Sequence, residues 1–176
     1  YNIMRRKSGE TTWAKIASRS ASLSTVYKDT TVEDGTEYEY DVNSATDIFE
    51  SASATSGTKV VYIKTPVFSS VTNTIDGIEL KWQAHSKATK YVIYKRTIGV
   101  DSTLIKFAET SSNIYLDTDV EAGKTYTYSV MVSTNNGDSA YNTSGYTITR
   151  VPSTQVTALS TDKNAVKVQW KAVSGV

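Results

Sequence analysis

Gly123-Lys124-Thr125-Tyr126-Thr127-Tyr128-Ser129-Val130 is the stretch that decides the fold of this chain. A turn glycine followed by Tyr, Tyr and Val at every second position predicts a half-buried β-strand that begins at a tight turn. The same pattern begins 88 residues earlier, in Gly35-Thr36-Glu37-Tyr38-Glu39-Tyr40-Asp41-Val42. An interval of this length is typical of one small all-β module. The chain is therefore predicted to be a tandem array.

Other segments repeat at nearly the same interval. Tyr1-Asn2-Ile3-Met4 matches Tyr91-Val92-Ile93-Tyr94, and Val166-Lys167-Val168-Gln169-Trp170 matches the segment from Ile78 to Trp82. These matches predict a complete module at 66–151, the third to last strands of another at 1–65, and the first two strands of a further one at 152–176. Pro66 and Pro152 fit such limits, because a proline at the start of a strand removes a hydrogen-bond donor.

The complete module shows short alternating segments separated by turn residues, which predict a β-sandwich. The predicted strands lie at 78–82, 91–95, 104–107, 114–116, 126–130 and 146–151. Alternation assigns the following residues to the structural core: Trp82, Tyr91, Ile93, Tyr126, Tyr128, Tyr38, Tyr40 and Trp170. Trp13 is also expected to anchor a core, whereas Tyr94 and Met4 are expected on the opposite faces of their strands.

The chain resembles the fibronectin type III domains, immunoglobulin-like sandwiches that recur in bacterial secreted and cell-surface proteins. The resemblance rests on Trp82, on the Tyr91-x-Ile93-Tyr94 strand, and on Val120-x-x-Gly123-x-x-Tyr126-x-Tyr128-x-Val130. It implies that the Tyr126 hydroxyl bonds to the backbone a few residues upstream, as does that of Tyr38. It also implies an extracellular or cell-surface location.

Composition excludes several classes of function. The 19 Lys and Arg nearly balance the 18 Asp and Glu, so the chain has no basic surface that would indicate nucleic-acid binding. Cysteine is absent, which excludes disulfides, thiolate metal sites and thiol nucleophiles. No apolar run approaches the roughly 20 residues of a membrane-spanning helix, so this segment is not expected to insert into a membrane.

Reactive side chains are sparse in the sequence. The single histidine, His85, is expected to be a solvated loop residue, because neither a catalytic pair nor a metal set can be built around it. The acidic run Asp117-Thr118-Asp119 with Glu121 is a weak candidate for calcium, and the first copy has Asp29-Thr30-Thr31 in its place. We therefore predict no catalytic, cofactor-binding or metal-binding residues, and no enzyme activity in this chain.

Three kinds of function remain open from the sequence. The first is a structural or adhesive repeat region, which close repetition favours. The second is recognition of a protein or glycan through Ile48 and Phe49, apolar residues in the loop before the last strand of the first copy; packing against a neighbouring module is the alternative reading of that loop. The third is an accessory spacer in a larger secreted hydrolase, with catalysis elsewhere.

The two incomplete modules are complementary, since 1–65 contains the strands that 152–176 does not. The missing strands are expected to come either from covalent neighbours in a longer chain or from strand addition by another molecule. Strand addition of this kind is heterologous, and it would build head-to-tail filaments.

Overall fold

The computed structural model describes residues 1–22 and 24–173, and every regular element among them is a β-strand. Contacts divide the chain into two compact units, Tyr1–Lys64 and Thr65–Val176. The prediction of an all-β fold is confirmed. The division into three modules with limits at Pro66 and Pro152 stays a prediction.

The described residues of the first unit form one antiparallel sheet of four strands in the order β2-β1-β3-β4. Its strands are β1 (Asn2–Lys7), β2 (Ala14–Ser18), β3 (Thr36–Asn43) and β4 (Thr58–Tyr62). Alternation along β1 and β3 separates two faces, because successive side chains of a strand point to opposite sides of the sheet. Ile3 and Tyr38 are buried on one face, and Glu39 is buried on the other.

The described part of the second unit, residues 65–173, contains ten strands. They are β5 (Phe68–Asn73), β6 (Ile78–Trp82), β7 (Ala88–Thr97), β8 (Ile105–Thr110), β9 (Ile114–Asp117), β10 (Thr125–Thr134), β11 (Gly137–Asp138), β12 (Tyr146–Thr149), β13 (Val156–Asp162) and β14 (Ala165–Trp170). Strands β5, β6 and β9 form one sheet, and β8, β7 and β10 form another in which β10 also pairs with β11 and β12.

These two sheets pack face to face as a sandwich. Aromatic pairs join them at three places: Trp82 with Tyr91 at 5.3 Å, Phe68 with Tyr146 at 6.4 Å, and Phe107 with Tyr115 at 6.0 Å between ring centroids. A sheet of three strands stacked on one of five forms a fibronectin type III-like sandwich. The core between them contains Val71, Ile78, Leu80, Trp82, Tyr91, Ile93, Tyr126, Tyr128 and Val130.

Two residues hold the ends of the sandwich in place. Gly123, with φ of 79°, makes the turn before β10 in a conformation that costs glycine little. Arg150, which is buried, donates from its guanidinium to the carbonyls of Thr74, Ile75 and Gly77 at 2.7–2.9 Å. The hydrogen bonds of Arg150 fix the β5–β6 turn against the segment that follows β12.

Strands β13 and β14 form a hairpin that repeats β5–β6 pair by pair. Leu159 pairs with Val168 as Val71 pairs with Leu80. Each hairpin also shifts register directly after its first pair, which is Val156 with Trp170 in one and Phe68 with Trp82 in the other. All five pairs of β5–β6 recur in β13–β14 at positions 88 residues later. Unlike β5–β6, the whole β13–β14 hairpin is exposed.

Candidate functional site

An uncovered apolar sheet face in the first unit is the most prominent candidate site. It forms an open groove of about 740 Å³. The residues that line this groove, called here the open face, are Tyr1, Ile3, Arg19, Ser24, Thr25, Val26, Tyr27, Lys28, Asp29, Val32, Tyr38, Tyr40, Asp41, Val42, Val60, Val61 and Tyr62. Most of the side chains that face it are aliphatic or aromatic, so the groove suits an apolar partner.

The second unit shows the same face in a covered state. There the β5-β6-β9 sheet lies over β7 and β10, and Val130 is 1% exposed. Its counterpart in the first unit, Val42, is 58% exposed. Tyr1 is likewise exposed while the matching Tyr91 is buried. Within Tyr1–Lys64, none of the described strands lies over the open face.

An ionic network lies at the edge of the open face. The Arg5 guanidinium contacts the Asp29 carboxylate at 2.7 Å and lies 4.9 Å from the centre of the Tyr38 ring. The Tyr40 hydroxyl donates to the same Asp29 carboxylate at 2.8 Å. The network ties β1 and β3 to the segment that follows β2.

Hydrogen bonding governs ionisation in this network. Partial burial raises the pKa of Asp29, but hydrogen bonds from the Thr31 amide, Tyr40, the Thr31 hydroxyl and Arg5 outweigh burial and lower it to about 2. Burial, followed by the hydrogen bond to Asp29, raises the pKa of Tyr40 to about 12. Asp29 is therefore an anion and Tyr40 a neutral donor at neutral pH.

The complete module contains the matching network, fully buried. Lys95 contacts Asp117 at 2.9 Å, and the Tyr128 hydroxyl donates to Asp117 at 2.6 Å. Lys95 also donates to the Asp119 carbonyl and lies 4.8 Å from the centre of the Tyr126 ring. Burial, then the bond to Asp117, raises the pKa of Tyr128 far above its usual value.

The network gives the Asp117 carboxylate of the acidic run a structural role. The Asp117 carboxylate is fully buried and bonded to Lys95 and Tyr128, so it serves as the partner of an internal cation. Among residues 1–22 and 24–173, no three His, Asp or Glu side chains lie together as a metal site would require. Sequence reasoning missed Lys95 and Arg5. Both lie four residues after a repeated tyrosine, Tyr91 or Tyr1, so the repeat marks them as equivalent positions but does not identify their partners.

Both predicted tyrosine corners are present. The Tyr126 hydroxyl accepts a hydrogen bond from the Glu121 amide at 2.9 Å. The Tyr38 hydroxyl accepts one from the Glu33 amide at the same distance. In each case the bond closes a loop of five residues ahead of the strand, as the resemblance implied.

The proposed core residues differ in burial. Tyr38, Trp82, Tyr91, Ile93, Tyr126 and Tyr128 are buried, whereas Tyr40 is half-buried. Trp170 differs from the prediction: it is 63% exposed, against 1% for its counterpart Trp82. The reason is that no second sheet in the described part of the chain covers β14.

Two further predictions need correction. Trp13 is half-buried, but it lies 4.3 Å from the Arg6 guanidinium and donates to the Ala54 carbonyl, so it covers the sheet face opposite to the open face. His85 is half-buried rather than fully solvated. Its Nδ1 accepts from the Lys87 amide, and its own amide donates to the Tyr91 hydroxyl at 2.7 Å.

Ile48 and Phe49 project from a tight loop tip, 81% and 74% exposed. A β-bridge joins Ala45 to Glu50, and the Thr46 amide donates to the Phe49 carbonyl at 2.7 Å. The two apolar side chains are thus displayed on a short hairpin that is fixed by its own backbone. Whether this loop binds a partner stays a prediction.

The comparisons with known proteins identify similar folds only at a distance. No protein-family model matches the chain, and no curated protein sequence matches it either. A solved structure of the chicken CNTN1 FN1-FN3 domains is similar with a TM-score of 0.36 and 13% identity, over 98% of this chain and 65% of that one. A β-1,2-glucanase from Parabacteroides distasonis gives 0.40 and 20%, over 56% of this chain and 15% of the glucanase.

The class of protein therefore follows from the chain's own architecture, which is a fibronectin type III-like β-sandwich repeated along the sequence. The chain spans less than two thirds of the length of either similar structure. None of the described residues forms a helix long and apolar enough to cross a membrane.

Proposed function

We propose that this chain is a non-catalytic structural and adhesive repeat region of an extracellular or cell-surface protein. One observation carries the proposal: the two units share the same stabilising side-chain contacts at a fixed interval. The tyrosine corners of Tyr38 and Tyr126, and the carboxylates of Asp29 and Asp117 bonded to a tyrosine and a cation, recur 88 residues apart.

A spacer or a fibre requires repeated stabilising contacts rather than a repeated reactive cluster. Each module then folds around its own core, and stability is approximately a sum over modules and their junctions. The buried network of Lys95, Asp117 and Tyr128 connects β7, β9 and β10 across both sheets of the sandwich. Such a connection favours a module that unfolds as one unit.

Force spectroscopy tests the mechanical part of this proposal. Pulling the chain by its ends should give a discrete unfolding event for the complete module. Residues 66–151 should release a contour length of roughly 30 nm, since each extended residue spans about 3.4 Å. Smooth extension without such an event would contradict the structural part of the proposal. Antibody labelling of intact and permeabilised producing cells tests the location, and labelling only after permeabilisation would contradict it.

Recognition through the loop tip is the second candidate, and the exposure of Ile48 and Phe49 is the observation that favours it. Apolar side chains displayed on a fixed tip suit contact with a protein or glycan surface. A matrix-protein and glycan array should then retain the chain, and the Ile48→Ala and Phe49→Ala variants should lose that binding. Val100→Ala, at an equally exposed apolar residue on the turn after β7, is the matched control. Equal binding by all variants would refute this role for the tip.

A further inference from the structure

The buried contact between Lys95 and Asp117 brings an amine and a carboxyl group together inside the complete module. The Lys95 Nζ atom lies 2.9 Å from Asp117 Oδ2, and the two side chains are 8% and 0% exposed. The contact joins β7 of one sheet to β9 of the other. An amine and a carboxyl group are the two reactants of amide formation, and a fixed contact between them supplies the proximity that such a reaction needs.

We propose that Lys95 and Asp117 react with each other, so that the complete module contains an internal amide crosslink between its two sheets. Nζ of the lysine forms a bond to Cγ of the aspartate, and the bond from Cγ to Oδ2 breaks. Of the three ammonium protons, one stays on the amide nitrogen and two leave with Oδ2 as water. The reaction therefore needs no oxidant, activating group or other co-reactant.

Burial of the pair favours the product over the ion pair. An ammonium and a carboxylate that are shielded from water carry a desolvation cost, which their mutual attraction offsets only in part. The amide has no net charge, and it is a group that protein interiors accommodate when it is hydrogen-bonded. The water molecule that forms is released to the solvent. Exposed lysine–carboxylate pairs do not gain in this way, because water already solvates their charges.

The groups around Asp117 are placed to assist the attack. The Asp119 amide donates a hydrogen bond to Asp117 Oδ1 at 2.9 Å, and the Tyr128 hydroxyl donates one to Oδ2 at 2.6 Å. Negative charge develops on these two oxygens when Nζ adds to Cγ. Donors that already point at them stabilise this charge without further rearrangement.

The Asp119 carboxylate is placed to transfer the protons. A lysine must lose a proton before its nitrogen can act as a nucleophile. Asp119 Oδ2 lies 3.6 Å from Lys95 Nζ, and its side chain is open to solvent. This carboxylate can accept a proton from the ammonium and return it to the departing oxygen, which is general acid–base catalysis by a positioned side chain.

The first unit has the same carboxylate without the reactive amine. Asp29 accepts hydrogen bonds from a tyrosine hydroxyl and a backbone amide, as Asp117 does. Its cationic partner is Arg5, whose guanidinium stays protonated and is not a nucleophile. Thr31 stands at the position equivalent to Asp119. The two units thus differ at the two residues that the reaction needs, and the crosslink is expected in the complete module and not in the first unit.

Intact-mass spectrometry of the purified full chain tests the proposal. The chain should weigh about 18 Da less than its sequence requires, which is the mass of one water molecule. Unfolding in urea should not restore the missing mass, because an amide is a covalent bond. A mass equal to that of the sequence would overturn the proposal.

Tryptic digestion locates the bond. Trypsin does not cleave after a lysine whose amine is acylated, so segments 91–96 and 107–124 should appear as one branched peptide. Fragmentation of this peptide should place the link between Lys95 and Asp117. Separate linear peptides would refute the proposal even if the intact mass were low, since cyclisation of an aspartate elsewhere also loses one water.

Two lysine variants separate the reaction from folding. Lys95→Arg keeps a cation at this position, as Arg5 does in the first unit, so the module should fold but have the full sequence mass. Lys90→Arg is the matched control, because Lys90 lies exposed on the same strand and pairs with Glu109 at 3.0 Å. The control should still lose one water. If Lys95→Arg retains the loss, or if Lys90→Arg abolishes it, the assignment is wrong.

Asp119→Asn tests the proton transfer, and its side chain is exposed, so the change leaves the core intact. In freshly synthesised protein followed by intact mass, this variant should form the bond at least about tenfold more slowly, as expected for loss of a general acid–base group. A rate equal to that of the unmodified chain would refute the role of Asp119.

The crosslink and the structural function proposed above can fail separately. The crosslink withholds residues 96–117 from extension, so the unmodified module should release about 7 nm less than the Lys95→Arg module, since each extended residue spans about 3.4 Å. Equal lengths would contradict the crosslink. A chain with the full sequence mass that still unfolds in a discrete event would overturn the crosslink and leave the structural function standing.

Discussion

Replacing Trp82 by alanine should destabilise the complete module far more than the same change at Trp170. Trp82 is buried between the two sheets and contacts the rings of Phe68 and Tyr91 edge-on, at 6.2 and 5.3 Å between centroids. Its indole nitrogen has no hydrogen-bond partner in the described part of the chain. The loss on truncation is therefore a loss of packing, which for a large aromatic side chain is about 3–5 kcal/mol.

Hydrogen exchange of the full-length chain measures this loss where it occurs. Each 1.4 kcal/mol corresponds to a tenfold change in an equilibrium constant, so the slowest amides of β7 and β10 should lose protection roughly 10²- to 10³-fold or more. Trp82→Phe should lose much less, because it keeps an aromatic ring in the core and removes the unpaired N–H.

Trp170→Ala is the matched control, since Trp170 occupies the same position of the repeat but is exposed. At concentrations where the chain is monomeric, it should change protection in β7 and β10 by less than about 0.5 kcal/mol. Similar effects at Trp82 and Trp170 would refute the reasoning that burial between two sheets, rather than position in the repeat, determines the contribution of this tryptophan.

Three further predictions concern single groups. Tyr126→Phe should destabilise the complete module by about 1–3 kcal/mol in urea unfolding, since a backbone amide loses its acceptor, whereas Tyr94→Phe should have almost no effect. Because the pKa of Asp29 is lowered to about 2, its contribution is present above pH 4 and is lost as the pH falls from about 4 to 2. The free energy of unfolding of the first unit should therefore fall by about 1–2 kcal/mol over that pH range, as acid unfolding measures it. It should fall less in Asp29→Asn. Gly145→Ala should cost about 1–3 kcal/mol by urea unfolding, since φ is 61° and an added Cβ would lie 2.6 Å from the Tyr128 carbonyl oxygen.

The sequence predicted the sandwich because alternation is a local property. Trp82, Tyr126 and their neighbours lie on strands whose apolar residues recur every second position, and this period alone assigns them to one face. The tyrosine corners could be predicted for the same reason, since the hydroxyl and its partner amide are separated by only five residues.

The ionic network could not be predicted from the same rule. Lys95 lies on the core side of β7 by alternation, but a charged residue at such a position contradicts the binary pattern of a core. Only its partners Asp117 and Tyr128, which lie on other strands, explain why it can be buried. Recognising the network requires knowledge of which strands are neighbours.

The exposure of Trp170 is the other feature that the sequence did not predict. The repeat identifies its position correctly, but its exposure depends on whether a second sheet covers β14, which alternation within one strand does not determine. The open face is exposed for the same reason, because none of the described strands of the first unit covers it. Local pattern predicts which side chains would form a core, and it does not predict which element supplies the opposite layer.

The shared register of the two hairpins has a consequence for the order of folding. A strand pair normally acquires its register from burial of one face or from its turn. The β13–β14 hairpin has the register of β5–β6 without burial, so the turn and the strand residues themselves are sufficient to set it. The β7–β10 pairing, by contrast, joins segments separated by about 30 residues and carries a larger loop-closure cost. During synthesis of an array of this kind, the hairpin at the beginning of each module should form before the sheet against which it packs.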